Sequence, residues 1–435
     1  MKSIILKLHS RGWKVFLVGG RVRDRVMGQH PGDPDLLTDA PMEDVEAIFG
    51  VKRVTLAEKS LPICIVNHVE ISPMRGAGEF PTSDLARRDF TLNAMALDPF
   101  SGTIIDPFGG RQDIKQRLIR FTGPPGDRIH EDPLRMVRGC RFAARFDFEL
   151  EAETLGAIRA QASLIALRTA PERLNSELIK AMAMDRPSRF FELLHHTGLL
   201  PHILPSLERC WDLDGGPFHG ETVFEHCMMV GDDIWPKQPL LRLAGFLHDT
   251  GKFDAKGIKE GRITYHGHER QTRALEADLH RLKFSNAARA YMLSLVRLHM
   301  RPLTEKTGPR GVRYLLAALA REGISHRDFM RMRIADKKSN LKTRAPYTLG
   351  DIRFRLNKIF TQYRSGAPLT PSDLALSGRE IMAALNLKPG PLVGRLKVLI
   401  FQRVLDDPSL NQRDRLLALL PELLAALEAD KTSLS

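Results

Sequence analysis

The sequence predicts an α+β fold in which a mixed-sheet head is followed by a long all-α remainder. Up to about residue 115, short β-rich runs such as 15–18 and 63–69 alternate with Gly and Pro turns, as in a sheet flanked by helices. Helical periodicity dominates after that point, for example across 134–146 and around 318–321. A chain of 435 residues is long for a single core, so several domains are expected.

The composition narrows the class of protein. A formal net charge of +13 favours a polyanionic partner, because Lys and Arg release counterions from phosphates, although a merely basic soluble protein carries the same signal. The four cysteines lack metal-type spacing and argue against a zinc knuckle or a disulfide framework. No apolar run reaches the roughly eighteen residues of a membrane span, and charge interrupts the N-terminal segment early, so a cytoplasmic protein without membrane contact is expected.

The segment 16–35 is the most informative stretch of the chain. An apolar run enters a turn at Gly19 and Gly20, an arginine-rich segment follows, and Asp33 and Asp35 flank a single proline. Glycine lets the backbone approach a ligand closely and offer N–H groups to a triphosphate. Side chains two apart on a strand share one face, so the two aspartates can hold Mg²⁺ between an attacking hydroxyl and an α-phosphate. Each feature alone is common in ordinary turns, but their joint order predicts nucleotidyl transfer.

Further motifs follow at 87–94, 106–113, 131–138 and 171–177. In this order, and after the Gly-Gly and Asp-x-Asp segment, they resemble the class II tRNA nucleotidyltransferase and bacterial poly(A) polymerase family. The resemblance implies a polymerase β-like nucleotidyltransferase head on a mixed sheet, followed by a helical neck, body and tail.

The resemblance also implies roles for individual residues. Asp33 and Asp35 would be catalytic and would bind two Mg²⁺ ions, and Glu70 on a later strand is a weaker candidate for a third carboxylate. The implied nucleotide-binding residues are Gly19, Gly20 and Arg23 for the triphosphate, Arg88, Asp89 and Asn93 for the ribose and phosphates, Glu131, Asp132 and Arg135 for the base, and Arg138.

Base reading by Asp132 and Arg135 has a physical basis of its own. A carboxylate accepts from an exocyclic amine, and a guanidinium donates in a rigid plane, so the pair can imitate a complementary base edge. Their spacing of three predicts adjacent turns of one helix face. The alternative is an ordinary helical salt bridge with Pro133 in the first turn.

Two features depart from the family pattern. Pro34 removes a ladder donor between the aspartates, which predicts that this strand segment is an edge or irregular. The segment 71–86 is shorter than the loop usual in CCA-adding members, and in that family a shortened loop is characteristic of relatives that add only CC. The second departure points to a CC-adding enzyme, although surface loops readily change length.

The second half of the chain carries a different set of chemical groups. His226, the pair His248 and Asp249, and Asp336 stand in the order of the HD superfamily of metal-dependent phosphohydrolases, with His268 and His299 between them. Imidazoles and carboxylates from separate helices can surround a divalent metal, so an HD-like site on His226, His248, Asp249 and Asp336 is predicted. The alternative is a set of core histidines in an inactive HD-like body.

Stretches bearing Pro, Gly and Thr near 344–350 and 365–371 predict the boundary of a C-terminal piece. A helix beginning after Pro391 could receive an RNA phosphate, or the segment could be a plain helical hairpin turn. The predicted domains are a nucleotidyltransferase head at 1–115, a neck with the base-reading motif at 116–190, an HD-like body at 191–345 and an RNA-binding tail at 346–435.

These features predict template-independent addition of C residues to the 3′ end of tRNA. The 3′ hydroxyl would attack the α-phosphate of CTP, or of ATP if a final A is added, with two Mg²⁺ ions on Asp33 and Asp35. A poly(A) polymerase, an HD phosphohydrolase with a nucleotide-binding head and a non-enzymatic RNA-binding protein are the alternatives.

Overall fold

The computed structural model describes residues 1–30, 32, 34–55, 62–75, 78–217, 219–340 and 347–432. The chain divides into two compact units, one of residues 1–208 with 278–284 and the other of residues 209–277 with 285–435. The predicted α+β class, with a mixed-sheet head and a largely helical remainder, is confirmed. The finer division at residues 115, 190 and 345 stays a prediction.

The head is built on a six-stranded mixed sheet. Its strands are β1 (Val15–Val18), β2 (Asp35–Thr38), β3 (Cys64–Val66), β4 (Val69–Pro73), β5 (Ala96–Leu97) and β6 (Ile104–Ile105). They lie in the order β3-β4-β2-β1-β5-β6. β1 pairs antiparallel with β2 and β5, and β2 runs parallel to β4. The end of β1 therefore lies beside the start of β2, with Val18 opposite Asp35.

The strand after Pro34 is neither an edge nor irregular, so that prediction was wrong for residues 35–38. β2 begins at Asp35 and lies inside the sheet, between β1 and β4. Pro34 precedes the paired residues and so costs the ladder no donor, a position in which proline is well tolerated. Its carbonyl oxygen accepts from the backbone nitrogen of Glu70 at 3.3 Å.

Helices cover the sheet and form the remainder of the first unit. They are α1 (Lys2–His9), α2 (Gly20–Val26), α3 (Met42–Phe49), α4 (Thr82–Leu85), α5 (Gly110–Gln116), α6 (Pro125–Glu131), α7 (Leu134–Phe146), α8 (Ala152–Gln161), α9 (Leu164–Arg168), α10 (Pro171–Met182), α11 (Ser188–His196), α12 (Leu200–Ile203) and α13 (Pro205–Glu208). A short parallel pair, β7 (Leu118–Ile119) and β8 (Glu149–Leu150), adjoins them.

Both faces of the head sheet are buried. Leu17 and Leu36 pack in a core with residues of α1 and α3, whereas Val18 and Leu37 pack on the opposite face against Leu85. Alternate residues of a strand point to opposite faces, so β1 is apolar throughout and β2 carries leucines at both of its central positions. Polar functional groups consequently emerge at the strand ends.

The second unit is mainly helical. Its elements are α14 (Val223–Asp233), α15 (Pro239–Leu247), α16 (Lys252–Ala255), β9 (Gly257–Lys259), β10 (Arg262–Thr264), α18 (Asn286–Leu298), α19 (Pro309–Arg321), α20 (His326–Lys338), α21 (Leu349–Arg364), α22 (Gly378–Leu385), α23 (Pro391–Asp406) and α24 (Arg413–Thr432), while α17 (Arg273–Arg281) crosses the unit boundary. The last helices share a core that includes Leu396, Ile400 and Leu416. Over the part of the chain that the structure describes, no helix is both long and apolar enough to cross a bilayer.

Candidate functional site

The Gly-Gly segment forms the predicted tight turn at the end of β1. Gly19 has φ of 68° and ψ of −137°, a conformation that side-chain-bearing residues avoid, and it immediately precedes α2. A Cβ atom on Gly19 would lie 3.1 Å from Nη1 of Arg88 and 3.5 Å from Oδ2 of Asp35. The absence of a side chain therefore lets the turn approach both groups.

The carboxylates of Asp35 and Glu70 lie on neighbouring parallel strands. The two residues are register partners of β2 and β4 and are both half-buried, so they share one face of the sheet. Asp33, the other predicted metal ligand, lies outside the described residues. Carboxylate oxygens are the ligands that Mg²⁺ prefers in proteins, so the described part of the site fits this ion.

A hydrogen-bond network joins the predicted phosphate and ribose residues. Arg23, which is buried, donates to Asp24 and, at 2.8 Å, to Oδ1 of Asn93. The amide of Asn93 donates to Asp89 at 3.1 Å, and Arg138 donates to the other oxygen of Asp89 at 2.6 and 3.0 Å. The network joins Arg23, Asp89 and Asn93 of the head to Arg138 of α7.

The charged groups of this network shift one another's pKa values. Although burial alone would raise it, the guanidinium of Arg138 and the hydrogen bonds from Asn93 and the backbone nitrogen of Phe90 hold the pKa of Asp89 below its ordinary value. Burial lowers the pKa of Arg23, and Asp24 opposes that effect. Asp89 therefore stays an acceptor, and Arg23 and Arg138 keep positive charge beside it.

These residues line a cleft of about 1120 Å³ in the first unit. The lining residues predicted from the sequence are Gly19, Gly20, Arg23, Asp35, Arg88, Asp89, Asn93 and Arg138. Basic residues that the sequence analysis missed extend the lining: Arg141, Arg145, Lys180, Arg186 and Arg189. The helical spacing of Arg138, Arg141 and Arg145 was the available signal, since residues three or four apart share a helix face.

The base-reading motif differs from the prediction in geometry. Asp132 lies in the junction between α6 and α7, and Arg135 is the second residue of α7, so the prediction of adjacent turns on one helix was wrong. The alternative of an Asp132–Arg135 salt bridge is not found either. Arg173 forms two hydrogen bonds with Asp132, of 3.0 and 2.7 Å, and Arg135 instead pairs with Glu131 at 2.8 Å. Glu70, Glu131, Asp132 and Arg135 do not line the described cleft.

Asp84, within the segment 71–86, contacts Arg88, which lines the cleft. Asp84 is fully buried and accepts from Arg75 at 2.7 Å and from Arg88 at 3.1 Å. Gly76 and Ala77 lie outside the described residues. The two ion pairs tie Arg75, two residues after β4, through Asp84 to Arg88, which lines the cleft.

A second cluster lies in the second unit and unites the predicted HD-like residues. His226 lies on α14, His248 and Asp249 follow α15, and Asp336 lies on α20. Nε2 of His226 is 3.3 Å from Oδ1 of Asp336, and Nε2 of His248 is 3.4 Å from Oδ2 of Asp249. All four predicted residues are therefore brought together.

The structure adds His268 and His299 to this cluster. Their Nε2 atoms lie 3.0 and 3.5 Å from Oδ1 of Asp249, so this carboxylate has histidines at both oxygens. Their Nδ1 atoms, and that of His248, face backbone carbonyls at 2.6 to 2.9 Å. A protonated Nδ1 in each ring leaves the Nε2 lone pair facing the cluster, as in metal-binding histidines.

The chemistry of the cluster fits a divalent metal. Both ring nitrogens of His226 and Nε2 of His248 are buried, and each lies 3.3 to 3.5 Å from a carboxylate oxygen. Burial alone would raise the pKa of the Asp249 carboxyl, but His248 and Lys252 hold it well below its ordinary value. Lys252 lies 2.7 Å from Asp249, a contact that the sequence analysis missed although the two are spaced as helical neighbours.

Comparisons with known proteins identify relatives of the chain. A family model described as the poly A polymerase head domain matches residues 15–120, and one described as the probable RNA and SrmB-binding site of polymerase A matches residues 147–210. The A-adding tRNA nucleotidyltransferase of Deinococcus radiodurans is 32% identical over 434 residues, covering 92% of this chain and 93% of the relative. The multifunctional CCA protein of Stenotrophomonas maltophilia is 38% identical over 266 residues, covering 55% of this chain and 64% of the relative.

Comparison of the fold with solved structures agrees with the sequence comparisons. The crystal structure of the Bacillus stearothermophilus CCA-adding enzyme in complex with CTP matches with a TM-score of 0.70 and 25% identity over 98% of both chains. The match spans both compact units, and the relative from Deinococcus radiodurans likewise extends over nearly the whole chain. The chain belongs to the class II tRNA nucleotidyltransferase and bacterial poly(A) polymerase family and is a nucleotidyltransferase.

Proposed function

We propose that the chain adds nucleotides to the 3′ end of tRNA without a nucleic-acid template. The observation that carries this proposal is the convergence of the Gly19 turn, Asp35 and the basic residues Arg23, Arg88 and Arg138 on one cleft. In the reaction, the 3′ hydroxyl of the tRNA attacks the α-phosphate of CTP or ATP, and pyrophosphate leaves. The positive charge of the chain fits the tRNA partner.

The residues predicted from the sequence have separate roles in this reaction. The backbone at Gly19 and Gly20, with Arg23 and Arg88, binds the triphosphate, and Asp89 and Asn93 hold the ribose. Two Mg²⁺ ions held by Asp33 and Asp35, with Glu70 beside them, would stabilise charge on the attacking and leaving oxygens. Asp132 and Arg135 read the base, and Glu131 holds Arg135 in place through their ion pair.

The test of this mechanism is the Asp35→Ala variant. It should lose incorporation and keep its fold, because Asp35 is half-buried at a strand end. Asp254→Ala, which breaks an exposed ion pair with Arg209 in the other unit, should incorporate nucleotides as the unmodified chain does. Normal incorporation by a folded Asp35→Ala protein would overturn the assignment.

Nucleotide choice has two candidates. The short segment 71–86 favours addition of CC, whereas the relative matched over nearly the whole chain is an A-adding tRNA nucleotidyltransferase. Purified protein is incubated with tRNA transcripts ending before C74, after C74 and after C75, with CTP and ATP offered separately and together. Products that stop after two C residues establish CC addition, and a single A on the last transcript alone establishes A addition. Addition of C, C and A to the transcript that ends before C74 indicates a complete CCA-adding enzyme. A long ladder of added A residues indicates a poly(A) polymerase.

We further propose that the histidine cluster is a metal-dependent phosphohydrolase site. Buried Nε2 atoms directed at one carboxylate favour it over a set of core histidines. A bound divalent ion would supply a nucleophile by acidifying water, while the residues of the cluster fix its position. Asp249→Ala should abolish hydrolysis of a 2′,3′-cyclic phosphate and high-affinity Mn²⁺ binding measured by calorimetry. If the Asp249→Ala variant binds Mn²⁺ as tightly as the unmodified chain, the proposal is wrong.

The four cysteines are free and buried. Free thiols suit a reducing compartment, so we propose a cytoplasmic location.

A further inference from the structure

The junction between α6 and α7 carries a paired carboxylate that the nucleotidyl transfer cleft does not explain. Arg173, near the start of α10, donates from both terminal nitrogens to the two oxygens of Asp132, 41 residues earlier in the sequence, at 3.0 and 2.7 Å. Both side chains are accessible, with 34% exposure for Arg173 and 26% for Asp132. An accessible pair with this fork-to-fork geometry orients a carboxylate without burying it.

Three hydrogen bonds occupy most of the acceptor sites of the Asp132 carboxylate. Oδ1 also accepts from the backbone nitrogen of Leu134 at 3.2 Å, so this oxygen has two donors, whereas Oδ2 has one. An ionised carboxylate offers about four lone-pair sites. The plane of the carboxylate is thus fixed from two directions, and Oδ2 keeps a lone pair for one further donor.

Neighbouring contacts join the junction to the cleft. Arg128 donates to the carbonyl oxygen of Ala86 at 3.1 Å and Arg135 to that of Arg87 at 3.4 Å, immediately before Arg88 and Asp89. The field of Asp132 also contributes to the raised pKa of Arg138, after the larger effects of Asp89 and Glu177. The helices on both sides of Asp132 are therefore tied to the segment that carries Arg88 and Asp89.

We propose that Arg173 is a positioning residue for nucleotide selection: by fixing the carboxylate plane of Asp132, it presents Oδ2 as an acceptor for a base that carries an exocyclic amine. This inference rests on the proposed base-reading role of Asp132. Cytosine and adenine carry such an amine, whereas uracil has a carbonyl oxygen at the corresponding position. The fixed acceptor thus favours CTP and ATP and repels UTP.

The test is the discrimination between CTP and UTP, measured as the ratio of their kcat/KM values on one tRNA transcript. Arg173→Ala should lower the ratio by roughly tenfold, the size expected for one well-oriented base contact. Arg173→Lys should give an intermediate ratio, because an ammonium keeps the charge but lacks the planar fork. General damage to the fold lowers both rates together and leaves the ratio unchanged.

The chain offers a matched control in its other unit. Arg209 pairs with Asp254 through the same two-nitrogen geometry, at 3.0 and 3.1 Å, and the two side chains are 31% and 37% exposed. Arg209→Ala should leave the CTP to UTP ratio unchanged. A lowered ratio in Arg209→Ala as well would overturn the proposal, since any lost surface pair would then suffice.

A double-variant cycle separates an effect through Asp132 from a direct one. Asp132→Ala should lower the ratio, and adding Arg173→Ala should lower it no further, because the second residue acts only through the first. Additive losses, or equal losses of CTP and UTP incorporation in Arg173→Ala, would overturn the inference while the proposed function stands. A lack of incorporation by the unmodified chain with every nucleotide would overturn both.

Discussion

The carboxylate of Asp89 accepts two hydrogen bonds from the guanidinium of Arg138, across 49 residues of sequence. Asp89 belongs to the segment between head strands, and Arg138 lies on the second turn of α7. A two-nitrogen pair of this kind fixes direction as well as distance. The sheet and the helix thereby hold one wall of the cleft in a single geometry.

Removing Arg138 should therefore impair nucleotide use. Arg138→Ala is expected to lower kcat/KM for the nucleotide by roughly ten- to hundredfold, the value of hydrogen bonds to a charged group. Arg138→Lys should have a kcat/KM between those of the unmodified chain and Arg138→Ala, because a point charge replaces the planar, forked guanidinium. Steady-state incorporation is the measurement, with Arg159→Ala, which removes an exposed contact to the His196 carbonyl oxygen, as the control. Full activity of Arg138→Ala would contradict the role given to the pair.

The two glycines at positive φ near the first motif should respond differently to alanine. Gly19 and Gly28 have φ of 68° and 67°, but a Cβ meets Arg88 at 3.1 Å in the first case and nothing within 4 Å in the second. Gly28→Ala should cost about 1 kcal/mol of unfolding free energy and keep activity. Gly19→Ala should lose most activity as well, since the turn then displaces Arg88. Similar activity in both variants would count against close approach at Gly19.

The buried pair of Arg141 and Glu177 should matter for stability. Their side chains are only 9% and 2% exposed, and the contact is 2.5 Å. Glu177→Ala leaves a buried guanidinium without its main partner and should lower the free energy of unfolding by about 3–5 kcal/mol. Glu422→Ala, which breaks an exposed pair with Arg403, should cost about 1 kcal/mol or less. Urea-induced unfolding of the full chain distinguishes them, and equal costs would refute the argument from burial.

Asp84 should link stability to acid pH. Burial alone would raise its pKa, but Arg75 and Arg88 outweigh burial and hold the pKa below the ordinary value. The pKa of this carboxyl is about 4 in the unfolded chain and lower in the folded chain, so the carboxylate stabilises the fold at pH values above about 4. This stabilisation is lost as the pH falls through the pKa of the folded chain. The unfolding free energies of the unmodified chain and Asp84→Asn should thus differ most at neutral pH and converge in acid. A difference that grows below pH 4 would contradict the sign.

Sequence patterns anticipated the elements with strong local signals. The apolar run at 15–18 is β1, and the helical periodicity at 134–146 is α7, because burial on fixed faces imposes a period on consecutive residues. The order of motifs also predicted the family, which the comparisons confirm. Pro34 was misread because a proline just before a strand and one inside it look alike in sequence.

The sequence by itself determined which chemical groups the chain carries and which local elements hold them. Only the tertiary structure decided which groups meet: Asp132 with Arg173 rather than Arg135, and Asp249 between His248 and His268. Local periodicity reflects neighbours within a few residues, so it fixes elements and faces. Partners tens of residues apart are chosen by how those elements pack, and no spacing rule along the chain encodes that choice.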